Sequence, residues 1–493
     1  MLDLANAKRV VVVGGGTAGW FAALEMRHAF GPQVEVTLIE SEQIGIIGAG
    51  EGSIPNFNLA LQRYGIDRER FMAATQSTVK LGVRFDGWRT GAADDRYHHL
   101  FSTVRGDTSL LDWAEQGFYP LSSWLMSEGL PLERYPAVQA LVERGASQQE
   151  VLAWLDMHPR EAYAYHFDAR ALARFLRGEA EARGVKRIEG RVKQVVMDAG
   201  RVTALESDAG RLEADFWVDA SGLARVIAGK ALGVPWESFA QNLLLDAALP
   251  FMLPHRDAHP PLLTMSHAMK SGWMWVIPTQ GRLGCGYVYS TAHIDEAGVL
   301  AELRAHWGCE IEPVNRLRFG AGRLARCLES NVLAVGLAAG FVEPLEATSI
   351  AHTLYQLSFF GNLVQDTHHV VAESSIAQFN REVSNAWDGI LDFLLMHYDT
   401  VRSDTAFWRD AAAAAQTPRY RDLKRAFATR TPRLADLVPY QMGGTIMFGI
   451  PSWETVGFAM GAIPRDAAAR QLRGLSAGAQ LRLHAAAESL RAA

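Results

Sequence analysis

Cysteine is scarce in this chain: Cys285, Cys309 and Cys327 are the only three in 493 residues. They are odd in number, far apart and without a Cys-x-x-Cys partner, which leaves no disulfide framework and no zinc site, so no metal is expected. They read as small core residues. A long apolar run is also lacking, since none reaches the roughly 20 residues of a membrane span. The N-terminus shows no charged lead, apolar core and small-residue cleavage site of a signal peptide, and the expectation is a cytoplasmic protein with no membrane partner. Nor is there a basic excess. The 48 Lys and Arg residues are dispersed against 54 Asp and Glu, giving a net charge of −6 and no footprint for nucleic acid. No repeat at solenoid spacing is present. What remains, 49% hydrophobic and 21% charged, can bury a substantial core in more than one domain.

The first structural signal is a β-branched strand, Arg9 to Val13, running into Gly14-Gly-Gly-Thr-Ala-Gly19 and an amphipathic helix starting near Trp20. Glycines there let the backbone turn tightly and approach a pyrophosphate at the helix N-terminus, where unpaired N–H groups and the dipole favour an anion. A second strand, Val34 to Ile39, ends at Glu40, whose carboxylate is placed for the hydroxyls of an adenosine ribose. Strand, turn, helix and acid in this order predict dinucleotide binding through Gly14, Gly16, Thr17, Ala18, Gly19 and Glu40. Two later segments, Ala214 to Gly222 and Asn331 to Gly340, read as returns of the chain to the same nucleotide fold.

Trp273 and Trp275 stand one residue apart in Gly272-Trp-Met-Trp-Val-Ile-Pro278. If this run is a strand, period two places both indoles on one face, a bulky wall beside a cofactor. Residues 230–319 are rich in strand signals and predict the sheet that carries them. From about 359 onward apolar residues recur at three- and four-residue spacing, predicting helices through Trp387-Asp-Gly-Ile-Leu-Asp-Phe-Leu-Leu and an alanine-rich close at 481–493. The expected organisation is α/β mixed: a module over 1–358, with nucleotide segments near 1–85, 162–228 and 320–358 and interleaved segments 86–161 and 229–319, then a helical substrate-side cap over 359–493.

Four motifs along nearly the whole length resemble the flavin-dependent halogenases of the tryptophan-halogenase type. They are Gly14 to Trp20, Gly48-Ala-Gly-Glu-Gly-Ser-Ile-Pro55 followed by Lys80, the Trp-Met-Trp-Val-Ile-Pro box, and Gly340-Phe-Val-Glu-Pro-Leu-Glu-Ala-Thr-Ser-Ile350. A fifth stretch, Asp392-Phe-Leu-Leu-Met-His-Tyr398 with Phe407-Trp-Arg409, resembles the family's helical region. The resemblance implies a Rossmann-like, monooxygenase-type FAD module. It names FAD, used as FADH2, and a chloride or bromide ion, and it places Ala49, Val192, Leu337 and Ile350 beside the flavin. In that family reduced flavin and oxygen convert halide to hypohalous acid, which halogenates an electron-rich aromatic ring. Trp273 and Trp275 would keep the substrate off the flavin and prevent its hydroxylation.

Hypohalous acid made behind such a wall must be carried to one carbon of the substrate. Lys80 matches the family's catalytic lysine, and its apolar setting in Ser77-Thr-Val-Lys-Leu-Gly-Val83 predicts a desolvated amine of lowered pKa, able to form a haloamine or to hydrogen-bond hypohalous acid. Glu346 matches the catalytic carboxylate, which would stabilise the cationic ring intermediate and help remove its proton. Glu343, three residues earlier, is the competitor and reads as structural or as a flavin-side contact. The backbone N–H groups of Thr348 and Ser349 match the family's halide site, a turn of adjacent amides suited to an anion.

For the substrate, His99 and Phe101 resemble residues flanking the indole, with Trp453 completing an aromatic sandwich. Members binding free tryptophan use paired tyrosines followed by a glutamate for its amino-acid end. Here the stretch is Tyr440-Gln-Met-Gly-Gly-Thr-Ile-Met-Phe448, without the second tyrosine or the glutamate. Charged ends need partners to offset desolvation, so an indole-like aromatic other than free tryptophan is expected. A second glycine fingerprint for NAD(P)H is missing, which implies a separate flavin reductase as partner, and the resemblance is compatible with a homodimer. The rival readings are an FAD-dependent aromatic monooxygenase, needing neither halide nor Lys80, and a non-catalytic flavin-binding protein.

Overall fold

The computed structural model describes residues 1–45, 51–102, 117–134, 137–256 and 259–492. Two large sheets organise it. A six-stranded sheet runs in the order Leu328–Glu329, Val332–Ala334, Phe216–Asp219, Arg9–Val13, Glu35–Glu40 and Lys186–Glu189, parallel except for the first pair. Its central strand is Val-rich because parallel strands are buried on both faces: Val10, Val11, Val12 and Val13 are all in the core. The helices Thr17–Phe30 and Thr348–Asp366 pack against one another on this sheet. The strands of this sheet come from three separated stretches of the chain, residues 9–40, 186–219 and 328–334.

The second sheet has seven strands, Leu317–Arg318, Ala247–Leu253, Leu283–Tyr289, Gly272–Pro278, Leu263–Met269, Gly82–Asp86 and Arg96–Leu100, antiparallel except between Leu263–Met269 and Gly82–Asp86. Trp273 and Trp275 lie on its fourth strand with ring centroids 6.3 Å apart. Trp275 lies across the neighbouring Gly286, where an added Cβ would fall 2.1 Å from the indole. That glycine is what lets the ring lie flat on the sheet.

A three-stranded sheet, Glu51–Gly52, Ala164–Phe167 and Thr78–Lys80, carries the lysine, with Lys80 opposite Ala164. Beyond residue 359 the chain is almost wholly helical, led by the 26-residue helix Glu373–Tyr398. Its last two turns are buried on every side, and Trp88, Trp408 and Trp453 around them are also fully buried. Among the described residues no helix is long and apolar enough to cross a membrane, and no cluster of His, Cys, Asp or Glu could hold a metal ion. Cys285 and Cys327 are core residues as expected, but Cys309 is exposed, because it follows the left-handed end of the helix Glu296–Trp307 at Gly308.

Candidate active site

The glycine turn forms a cradle at the start of the helix Thr17–Phe30. Gly14 has φ 114°, and a Cβ there would sit 2.2 Å from the Ala220 carbonyl oxygen, so only glycine fits. At Gly16 a Cβ would meet nothing within 4 Å, and the Thr17 hydroxyl is buried with no hydrogen-bond partner. Open space, an orphan donor and a helix N-terminus together suit a pyrophosphate. Gly19 lies against the Gly14 carbonyl, 1.8 Å from its own would-be Cβ, which seats the helix on the turn. Glu40 ends its strand with Oε1 accepting from Arg187 Nε at 2.7 Å, while Oε2 lies directly over Gly15 and is free for a ribose. Asp219 folds its own turn, accepting from the Ile227 and Ala228 amides at 2.9 and 2.8 Å.

Among the other residues expected at the flavin, Val192 begins its strand half-buried, Leu337 lies in the 3-10 turn Gly336–Ala338 and Ile350 in the first turn of Thr348–Asp366, where Ala18 and Gly336 approach each other closely. Ala49 lies outside the described residues.

Lys80 is fully buried, and its Nζ has no hydrogen-bond partner. Burial pushes the amine down to about 8, with the Glu346 carboxylate pulling it partly back. Phe101 lies beneath it, ring centroid 5.3 Å from Nζ. His166 stands on the adjacent strand, Nδ1 3.2 Å from Thr78 Oγ1 and Nε2 2.9 Å from Thr264 Oγ1. Since the Thr78 hydroxyl donates to the Pro278 carbonyl, it accepts from Nδ1–H, and the Thr264 hydroxyl donates to Nε2. Burial and the neighbouring Lys80 amine keep this imidazole well below the ordinary histidine range, hence neutral.

Glu346 is also buried, 3% exposed. Its Oε1 accepts from His99 Nδ1 at 2.8 Å, and His397 Nε2 lies 3.3 Å away in a looser contact. Tyr97 closes the set, its hydroxyl 2.8 Å from His397 Nδ1. Burial alone would raise the Glu346 carboxyl, but the two imidazoles outweigh it and hold the group far below the usual carboxylate range. The backbone is strained to make this arrangement. Glu346 and Ala347 are both left-handed, with φ 63° and 56°, a conformation that costs non-glycine residues about 1–3 kcal/mol each. The turn then enters the 19-residue helix Thr348–Asp366, whose first amides have no partner within the helix. A left-handed residue followed by a right-handed one converges successive N–H groups into an anion nest. Thr348 is fully buried and its hydroxyl has no partner, a donor in keeping with an anion at that place.

Glu343 faces the other way. Its Oε1 accepts from Trp273 Nε1 at 2.9 Å and from the Tyr398 hydroxyl at 2.5 Å, while Oε2 is buried without a partner. Burial pushes this carboxyl up to about 7 against those two bonds. The sequence left Glu343 as structural or flavin-side; its contacts are with the tryptophan wall.

His99 is therefore a partner of Glu346 as well as a flanking ring, with Phe393 at 5.8 Å and Phe448 at 6.4 Å. Trp453 is 1% exposed and stacks parallel to Tyr440 at 6.2 Å, with Phe393 at 5.3 Å. Tyr440 in turn gives its hydroxyl to Asp392, which also accepts from Thr417. Sequence reasoning missed Tyr97, His166, Thr264 and His397. The stretch Asp392 to Tyr398 held a signal for His397, a polar residue in an otherwise apolar helix end, but not for its partner.

The chain is similar to known proteins along nearly its whole length. The family model for tryptophan halogenase matches residues 9–473. A tryptophan 6-halogenase, SttH, of Streptomyces toxytricini is 32% identical over 90% of this chain and 88% of its own, and an uncharacterized protein, y4xG, of Sinorhizobium fredii is 36% identical over 100% and 97%. Among solved structures, Xcc4156, a flavin-dependent halogenase from Xanthomonas campestris, superposes with a TM-score of 0.83 at 32% identity, covering 100% of this chain and 96% of that one. With the glycine cradle, the buried lysine and the paired glutamates in one fold, the chain belongs to the tryptophan halogenase family and is a flavin-dependent halogenase.

Proposed function

We infer that Lys80 and Glu346 hand a halogen to an indole-like aromatic other than free tryptophan. Reduced FAD with oxygen supplies the oxidation that turns halide into hypohalous acid, and a separate flavin reductase supplies the reduced flavin. Gly14, Gly16, Thr17, Ala18, Gly19 and Glu40 would hold its dinucleotide, with Ala49, Val192, Leu337 and Ile350 near the ring. The amides of Thr348 and Ser349 would hold the halide. Trp273 and Trp275 exclude the substrate from that compartment.

The unpartnered, buried amine of Lys80 beside an anionic Glu346 carries the reading. As free base it attacks the halogen of hypohalous acid: an N–X bond forms, the O–X bond breaks, and hydroxide leaves with an amine proton as water. The ring carbon then takes the halogen from nitrogen. Glu346, held anionic by His99 and His397, stabilises the ring cation and receives its proton, which returns to the Lys80 nitrogen. His99, Phe101 and Trp453 would frame the ring. Supporting a substrate without an amino-acid end, the Tyr440 hydroxyl is engaged by Asp392 and the residue is only 4% exposed. Residues 359–493 would act as the substrate-side cap over the module formed by 1–358.

The test is mass spectrometry of an indole panel with the protein, a reductase, FAD, NADH and chloride or bromide, alongside Lys80→Ala. A halogen isotope pattern that disappears in the variant supports the reading. Halogenation that persists in Lys80→Ala removes Lys80 from it, and faster turnover of tryptophan than of every uncharged indole removes the substrate assignment.

A further inference from the structure

We propose that Glu343 is a positioning residue that clamps the Trp273 indole to Tyr398 and so ties the tryptophan wall to the frame that fixes Glu346. The inference rests on reading Trp273 as part of the barrier between flavin and substrate.

The contacts close a ring. Glu343 and Glu346 are joined by two intervening residues; Glu346 Oε1 faces His397 Nε2 at 3.3 Å; His397 and Tyr398 are consecutive at the end of the helix Glu373–Tyr398; and the Tyr398 hydroxyl returns to Glu343 Oε1 at 2.5 Å. Trp273 hangs on this ring by the one polar group an indole has, Nε1–H to the same oxygen at 2.9 Å. Every member is buried: Trp273 at 2%, Glu343 at 1%, Tyr398 at 5% and His397 at 0% exposed.

Among the described residues no other side-chain hydrogen bond holds the two indoles. Trp275 Nε1 is buried without a partner, and Trp273 otherwise stands beside the rings of Trp88 at 6.2 Å and Trp275 at 6.3 Å, with Ala268 and Val288 paired to it across the sheet. Ring packing sets distance but tolerates sliding, whereas a hydrogen bond to a fixed carboxylate sets direction. The bonding at Glu343 is lopsided, two donors on one oxygen and none on the other, and a buried unpaired oxygen is costly. An apolar residue would avoid that cost but leave both the indole N–H and the phenol without an acceptor. The hydrogen bonds of Glu343 go to Trp273 and Tyr398, and it acts through them.

The test compares Glu343→Gln, which keeps an acceptor oxygen, with Glu343→Leu, which does not, in the full chain with FAD, reductase, bromide and an indole. One readout is the partition of bromination between the indole and a small diketone scavenger in solution. The other is the 15N resonance of the Trp273 indole N–H, identified by its loss in Trp273→Phe. Glu343→Leu is expected to shift the partition toward the scavenger by about tenfold, the scale on which small displacements of a reacting geometry act, and to move the Trp273 resonance upfield; Glu343→Gln should stay near the parent in both. A parent-like partition in Glu343→Leu, or equal losses in both variants, overturns the proposal. Should Glu343→Leu not fold, Tyr398→Phe removes the clamp from the donor side, with a smaller shift of the same sign expected and a parent-like partition overturning it. If the parent itself brominates nothing, the barrier reading fails, while the Trp273 resonance in the Gln and Leu variants still decides the clamp.

Discussion

Glu346 and Glu343 occupy two sides of one short turn, both buried, and their carboxyls are driven in opposite directions. At Glu346 two imidazoles converge and keep the carboxylate anionic. On the wall side, an indole and a phenol give Glu343 two good hydrogen bonds and no charge, and burial wins. Glu343 in fact has the better hydrogen bonds, two against one and a looser contact at Glu346; what differs is that the partners of Glu346 can carry positive charge. A carboxylate meant to meet a cationic ring must be kept charged in a dry site by groups that can themselves carry charge. One that only holds neighbours in place needs no such support.

The largest effect that tests this contrast is at Lys80, the buried amine that feels the Glu346 carboxylate: Lys80→Ala is expected to abolish indole halogenation while FAD binding, followed by fluorescence titration, is retained. Next, Glu346→Gln should lower single-turnover halogenation by about 10²–10⁴-fold, the range for loss of a group handling a proton in the transition state, whereas Glu343→Gln should fall by much less. Equal losses would erase the distinction between the two sides. The pH profile sharpens it further. With Lys80 pushed down to about 8, halogen transfer through a haloamine should rise as pH increases through about 8 and level off above it, because only the free base attacks. A fall over the same range would show the ammonium acting as a hydrogen-bond donor instead.

Glu343 also carries a stability signature. Its folded pKa, about 7, lies above the ordinary 4.5, so the folded state binds more protons between these values and stability falls as pH rises through the window, levelling off above about 7. Glu343→Gln should therefore lose about 2–3 kcal/mol less stability than the parent between pH 5 and 8 in urea titrations. Smallest of all, Tyr440→Phe should cost about 1–2 kcal/mol through the orphaned Asp392 and leave the halogenation rate of uncharged indoles near that of the parent.

The glycine cradle and the tryptophan pair were legible in the sequence because each is declared locally: a turn after a strand, alternation by two. Lys80 was picked out by a family motif rather than by its setting. Glu346 was legible only through its motif. Its partners were not, since His99 comes from the edge of the second sheet and His397 from a helix nearly 300 residues further on, and no periodicity announces that they meet. The left-handed pair Glu346 and Ala347 was hidden for another reason. Neither is glycine, so nothing in the local sequence advertises that conformation. The exposure of Cys309 was missed because a small apolar residue just beyond a helix end goes wherever the turn sends it.

That strained turn has a consequence for how such enzymes can diversify. The side chain of Glu346 and the amides that follow it are presented by the same few peptide units, so a buried carboxylate and a turn suited to a negative ion are held at one fixed separation. Moving either would drag the other with it. Variation that leaves this turn intact therefore has to lie in the residues packed around it, and exchanges at Phe448 or Phe393 would still reach Glu346 through His99.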